Sequence, residues 1–187
     1  MKKSLLLQVV MVLLVSAFAK AQSEQLARNY ADQGEYQKAI ISYKKALVKQ
    51  RGNSVLLAGL IKSYQQLEQY NKAEEVISQN LKTTRDKGFL LVELGYNHQL
   101  QSQDSIARSY YDQVIEGVAQ GIMNPYRAAR TLQQHSLLEE AVRTYEVGME
   151  SNPNANFNIQ LAKLYGELDE VQKMFDAYLD LINRSGK

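Results

Sequence analysis

Chemistry in a chain of this kind has few residues to draw on. His98 and His135 are the only imidazoles among 187 residues, and cysteine is absent. Disulfide frameworks, zinc fingers, iron–sulfur ligation and a cysteine nucleophile are therefore excluded, and two histidines leave little for a metal centre. Neither histidine has a second His or a carboxylate at ligand spacing. The adjacent pairs Glu74-Glu75 and Glu139-Glu140 could serve as acid and base, but each opens an apolar helical run, where acidic residues favour the helix dipole and face solvent. The chain contains no Gly-x-Ser-x-Gly, no Gly-x-x-x-x-Gly-Lys, no His-Glu-x-x-His and no Gly-x-Gly-x-x-Gly. Gly117 and Gly121 have the spacing of a membrane-helix packing motif without the apolar 20-mer it needs, so they read as a helix end. Asn183-Arg184-Ser185 matches the glycosylation sequon, a three-residue pattern that recurs by chance. These residues point to a protein that is not an enzyme and takes no cofactor or metal.

Something must nevertheless fold. Apolar residues make up 45% of the chain and charged ones 22%, a globular composition. The formal net charge of +2 is too small to direct the whole chain to nucleic acid or an anionic membrane.

Residues 1–21 stand apart. Lys2-Lys3 precede an apolar run from Leu5 to Ala19, interrupted only by Gln8 and Ser16, and Ala19-Lys20-Ala21 supplies a small-x-small site before Gln22. That is the plan of a cleaved secretory signal. A membrane anchor would need about 20 apolar residues, and Lys20 closes the run well before that. Ala17-Phe18-Ala19 offers a second cleavage frame, but cutting after Ala21 fits best. Without cysteine there is no lipoprotein attachment. The expectation is an exported protein, periplasmic or secreted, with no stable membrane span, whose mature form has 19 basic against 20 acidic residues.

The remainder repeats. Ala39, Ala73, Ala107 and Ala141 are each separated by 34 residues. Leu26, Leu60 and Leu94 lead to Ala128 and Leu161; Tyr30, Tyr64, His98 and Leu132 lead to Tyr165; Tyr43, Ile77, Tyr111 and Tyr145 lead to Tyr178. The fifth unit arrives one residue early, with the deletion around Pro153 to Asn156. Within each unit the apolar residues recur at helical spacing in two runs, so each unit is a helical hairpin. Asn124-Pro125 starts one helix with a cap and a first-turn proline, and Asn152-Pro153-Asn154 closes the next. The units span about 22–53, 54–87, 88–121, 122–154 and 155–187.

These columns resemble the tetratricopeptide repeat. Unit one carries Leu26, Ala27, Tyr30, Ala39, Tyr43 and Ala46 at the positions that family fills with Leu, small, Tyr, Ala, aromatic and small residues. Unit two carries Leu60, Tyr64, Tyr70 and Ala73; unit three Leu94, Gly95, Ala107 and Tyr111; unit four Ala129, Ala141, Tyr145, Gly148 and Pro153. Ile61, Asn80 and Met174 depart from the pattern, and unit five is the weakest. The resemblance covers residues 22–184. It implies an all-α fold, a right-handed α-solenoid of about five helix-turn-helix hairpins, and a scaffold or adaptor that binds a protein or peptide in its concave groove.

Family positions facing that groove are filled here by Arg28, Lys62, Tyr96, Arg130 and Lys163, with Tyr126 and Gln133 beside them. Basic residues, tyrosines and amides together suit an extended acidic or carboxylate-bearing segment. The chaperone-tail clamp of the family is not reproduced, since Glu24 stands where a basic residue is required. The last helix is crowded by Met174, Phe175, Tyr178, Leu181 and Ile182, more apolar surface than one neighbouring hairpin covers, so docking through that helix is a second expectation. Two other readings are the repeat portion of a larger cell-envelope assembly or enzyme, and an RNA-reading helical repeat, against which the export signal, the near-neutral charge and the 34-residue step all count.

Overall fold

The computed structural model describes residues 23–185, so the leader read at residues 1–21 lies outside them. All regular structure among the described residues is helical. The helices are α1 (23–32), α2 (Tyr36–Lys49), α3 (Ser54–Gln66), α4 (Tyr70–Leu81), α5 (Gly88–Gln99), α6 (Asp104–Ala119), α7 (Pro125–Gln134), α8 (Leu138–Ser151), α9 (Asn158–Glu167) and α10 (Val171–Ser185). They fall into two compact units, Met1–Asn80 and Leu81–Lys187.

The same turn ends the first helix of every hairpin. A residue with left-handed backbone follows the helix at Gly34, Glu68, Ser102, Ser136 and Asp169, with φ of 74°, 55°, 59°, 59° and 58°. Its N–H donates to the carbonyl three residues back, and the next N–H reaches five back: Glu35 to Tyr30 at 2.8 Å, Gln69 to Tyr64 at 2.9 Å, Gln103 to His98 at 3.0 Å, Leu137 to Leu132 at 3.0 Å and Glu170 to Tyr165 at 2.8 Å. This pair of bonds is the Schellman arrangement, which satisfies the carbonyls that a helix end leaves open. Only the first of the five turns uses glycine. Helix starts are marked differently: the Asn53 side chain accepts from the Val55 and Leu56 amides, and Asn124 accepts from Arg127 with Pro125 in the first turn.

In the first unit α2 packs on α3. Ala27, Ala39, Tyr43, Leu60, Ile61, Tyr64, Ala73 and Ile77 are buried there. In the second unit α5–α6, α7–α8 and α9–α10 form hairpins, stacked through α5 on α7, α6 on α8 and α8 on α9. Ala107, Ala128, Ala129, Ala141 and Ala162 let the backbones approach, while Tyr111, Leu132, Tyr145 and Leu161 fill the layer between hairpins. The approach is close at Gly59, where an added Cβ would lie 2.3 Å from the Tyr43 ring, and at Gly95, where it would lie 2.5 Å from that of Tyr111. The layer thins at the last helix: Tyr178, in the column of the buried Tyr145, is 40% exposed.

Candidate functional site

Tyr126, Arg130 and Gln133 are spaced four and three residues apart on α7, which places them on one helix face. Tyr126 and Arg130 are exposed and Gln133 is half-buried. The Tyr126 ring sits 6.5 Å from that of Tyr145, tilted by 53°, so a buried aromatic backs an exposed one. Burial raises the Tyr145 phenol to about 12; the neighbouring Tyr126 adds to the shift and the Arg130 charge opposes it.

Tyr96 on α5 is held by an arrangement absent from the sequence reading. Its ring stacks on that of His135 at 3.8 Å with planes 20° apart. The His135 Nε2 lies 3.2 Å from Glu93 Oε1, and the two side chains are only 11% and 5% exposed. Glu93 Oε2 is buried with no hydrogen-bond partner. Sequence spacing gave His135 no carboxylate, and the structure corrects this: Glu93, 42 residues earlier, is delivered by the packing of α5 on α7. The signal was a single Glu inside the apolar run Phe89-Leu90-Leu91-Val92-Glu93-Leu94, a charge that must find a partner when its helix is buried. His98, in the repeat column of Tyr30 and Tyr64, is half-buried; its Nδ1 lies 2.6 Å from Gln103 Oε1 and its ring stacks on Tyr110 at 5.5 Å.

The remaining predicted residues occupy separate places. Lys163 is exposed on α9 of the same unit, while Arg28 and Lys62 are exposed on α1 and α3 of the other unit. Arg28 is ion-paired one turn away with Glu24 at 2.7 Å, which offsets its charge. The structure thus gathers Tyr126, Arg130 and Gln133 on one helix face and anchors Tyr96 on the end of that helix through His135.

Across the α5–α6 hairpin, the Tyr111 hydroxyl donates to Gln99 Oε1 at 2.8 Å. Burial, then the negative field of Glu140 with Tyr96, Glu93 and Asp104, pushes that phenol up. An open hollow of about 300 Å³ there is lined by Asp104, Arg108, Tyr111 and Glu140 among others, and none of the seven predicted residues lines it. Among the described residues no group of three His, Asp or Glu could hold a metal ion.

No family model matches the chain. It is 24% identical over 161 residues to a TPR repeat-containing protein, MJ1428, of Methanocaldococcus jannaschii, a match that covers 85% of this chain and 28% of that protein's length. Solved structures with a similar course include MamA from Desulfovibrio magneticus RS-1, at 12% identity and a TM-score of 0.46 over 88% of this chain and 93% of that one. Another is YrrB, described as a TPR protein with an unusual peptide-binding site, at 20% identity and a TM-score of 0.40 over 84% of each chain.

Proposed function

We propose that this chain is a tetratricopeptide-repeat protein, an exported scaffold whose groove residues hold an extended acidic segment of a protein partner, with no chemistry of its own. The carrying observation is the α7 face: an exposed Tyr126 backed by Tyr145, Arg130 one turn on, and Gln133 beyond it, next to a Tyr96 clamped by His135. Rigid aromatics with Arg are the side chains that concentrate binding energy, because little conformational freedom is lost when they are covered. Gln133 offers both a donor and an acceptor to a peptide backbone. Each unit carries its own attraction for Asp, Glu or a free carboxylate: Arg130 and Lys163 in the second, and Lys62 in the first, where Arg28 adds less because Glu24 already holds it.

The test is fluorescence anisotropy with a set of extended peptides, some ending in Asp or Glu and some amidated and neutral, at low and moderate salt. Acidic peptides are expected to bind more tightly. Replacing Arg28, Lys62, Arg130 and Lys163 together with Gln is expected to weaken the binding of acidic peptides and reduce its salt dependence, and Tyr126→Ala to weaken binding at every salt concentration. Equal binding of acidic and neutral peptides, unaffected by the fourfold replacement, would sink the groove reading.

A second reading has its own observation. Val171, Phe175, Tyr178, Leu179 and Ile182 on α10 are 54%, 56%, 40%, 57% and 66% exposed, whereas Val142 and Tyr145, one repeat earlier than Phe175 and Tyr178, are 8% and 1% exposed. An apolar face of this kind suits docking within a larger envelope assembly, with the chain as its repeat portion. Loss of assembly in Phe175→Gln/Ile182→Gln with the groove intact would favour it.

A further inference from the structure

The five hairpins provide an internal control for their own outward surfaces. On the second helices one exposed column reads Ile41, Glu75, Ser109, Arg143, Asp176, and another reads Val48, Lys82 (just past the end of α4), Glu116, Glu150, Asn183. Every one of these ten residues is exposed. Four hairpins place charged or polar residues at both positions, as exposed helix faces do. The first hairpin alone places aliphatic residues there, and Ile41 and Val48 are 69% and 73% exposed. They lie seven residues apart, on one face of α2.

The same face is basic. Lys38, Lys44, Lys45 and Lys49 surround Ile41 and Val48 on α2, all four exposed, and Arg51 follows the helix, while α2 contains no Asp or Glu. The nearest acid in sequence, Glu35, is engaged by Lys38 at 2.7 Å. Lys44 spreads over the Tyr64 ring at 5.5 Å, which leaves its charge in place. In the other hairpins the columns of Lys44 and Lys45 hold Ser78, Asp112, Glu146 and Leu179, and Gln79, Gln113, Val147 and Asp180. Cations flanking projecting aliphatic side chains are the chemistry that seats a helix on an anionic lipid surface, the charges drawn to headgroups and the aliphatics entering the acyl boundary.

We propose that the outward face of α2, with Ile41 and Val48 at its centre and Lys44, Lys45 and Lys49 around them, is a contact surface for anionic phospholipid bilayers. The near-neutral net charge conceals it, because the cations are concentrated on one helix. No described helix is long and apolar enough to cross a membrane, so the contact is with the surface. It uses residues separate from those of the groove, and a chain seated by α2 keeps Tyr126 and Arg130 on another helix.

The chain contains no tryptophan, so Val48→Trp introduces a single reporter. Its emission is expected to shift to the blue with vesicles of phosphatidylcholine and phosphatidylglycerol, and not with phosphatidylcholine alone. Co-sedimentation of the whole chain with the same vesicles gives the second readout. Each lysine near an anionic surface contributes roughly a fivefold gain in partitioning. Lys44→Gln, Lys45→Gln and Lys49→Gln together are therefore expected to lower it on the order of a hundredfold, and Ile41→Gln/Val48→Gln to lower it with unchanged helicity. Lys72→Gln/Lys82→Gln/Lys87→Gln, which removes three exposed lysines outside this face, is expected to cost far less. Residues 1–21 are common to every variant, so differences among variants report on α2. An absent blue shift, an equal shift with neutral vesicles, or equal losses from the two lysine sets would overturn the proposal. So would a shift given by polyglutamate and not by vesicles, which would make the face a site for acidic protein.

Discussion

Glu93 and His135 of the second unit are both largely removed from water, and each answers for the other's polarity. A buried carboxylate is tolerated when paired and costly when left alone. His135→Ala removes the hydrogen-bond partner of Glu93 Oε1 at 3.2 Å, while Oε2 already lacks one. The expected loss is about 1–3 kcal/mol, the cost of leaving a buried polar group without its hydrogen-bond partner. Glu93→Leu combined with His135→Phe keeps volume and stacking on Tyr96, and is expected to recover most of it. Urea melts of the two variants decide the point; a loss under about 1 kcal/mol for His135→Ala would mean that water reaches Glu93 readily. The pair was illegible in the sequence because its members lie on different helices 42 positions apart. Arg28 is the opposite case: Glu24 precedes it by four residues, a spacing that predicts the observed ion pair, and a groove reading built on a column of like positions passed over it.

At the scale of the element, the hairpin turns separate what spacing reveals from what residue type conceals. The 34-residue step placed Ala39, Ala73, Ala107 and Ala141 in one column, and all four are buried to 2% exposure or less. It could do so because close helix packing admits only a small side chain and the requirement recurs in every unit. The left-handed turn residue recurs just as faithfully, yet the column reads Gly34, Glu68, Ser102, Ser136 and Asp169, so its residue types conceal a shared conformation. An L-residue there costs roughly 1–2 kcal/mol against glycine, less for Asp, partly offset by the larger backbone entropy that glycine loses on folding. Ser102→Gly and Ser136→Gly are therefore expected to stabilise the second unit by about 0.5–1 kcal/mol each, and Asp169→Gly by less. Thermal melts of the single and double variants measure this. Destabilisation by both serine replacements would show that their side chains contribute more than the backbone strain. By contrast, Ala107→Leu is expected to destabilise by about 1–3 kcal/mol, because the added methylenes have no space between α5 and α6.

Over the whole molecule, the stacked layers bury tyrosines, and this sets a limit at high pH. Burial raises the phenols of Tyr43, Tyr111, Tyr145 and Tyr165 from an ordinary value of 10.0, Tyr145 to about 12. Their neutral form is favoured in the folded state, so their contribution is complete below pH 10 and is lost as pH rises toward the folded values. Phenolate absorbance is expected to rise in two steps, the first from exposed tyrosines with helicity intact and the second coinciding with loss of helical circular dichroism. Ionisation of all twelve tyrosines in one wave with helicity retained would contradict the burial. The layers were legible because helical periodicity reports which face is apolar, whereas the side-chain company kept by Tyr96 required the packed structure. Export is argued from the leader alone. On the proposal of export, Lys2-Lys3 are the basic start of a leader, the fifteen residues from Leu5 to Ala19 are too few to span a bilayer, and Ala19-Lys20-Ala21 is its small-x-small cleavage pattern. Expression of the full chain in a bacterium is accordingly expected to yield a periplasmic product beginning at Gln22, identified by intact mass. Cleavage in the alternative frame would add Lys20 and Ala21 and preserve the export reading; a dominant product that retains residues 1–21 and pellets with membranes would replace it with an anchor.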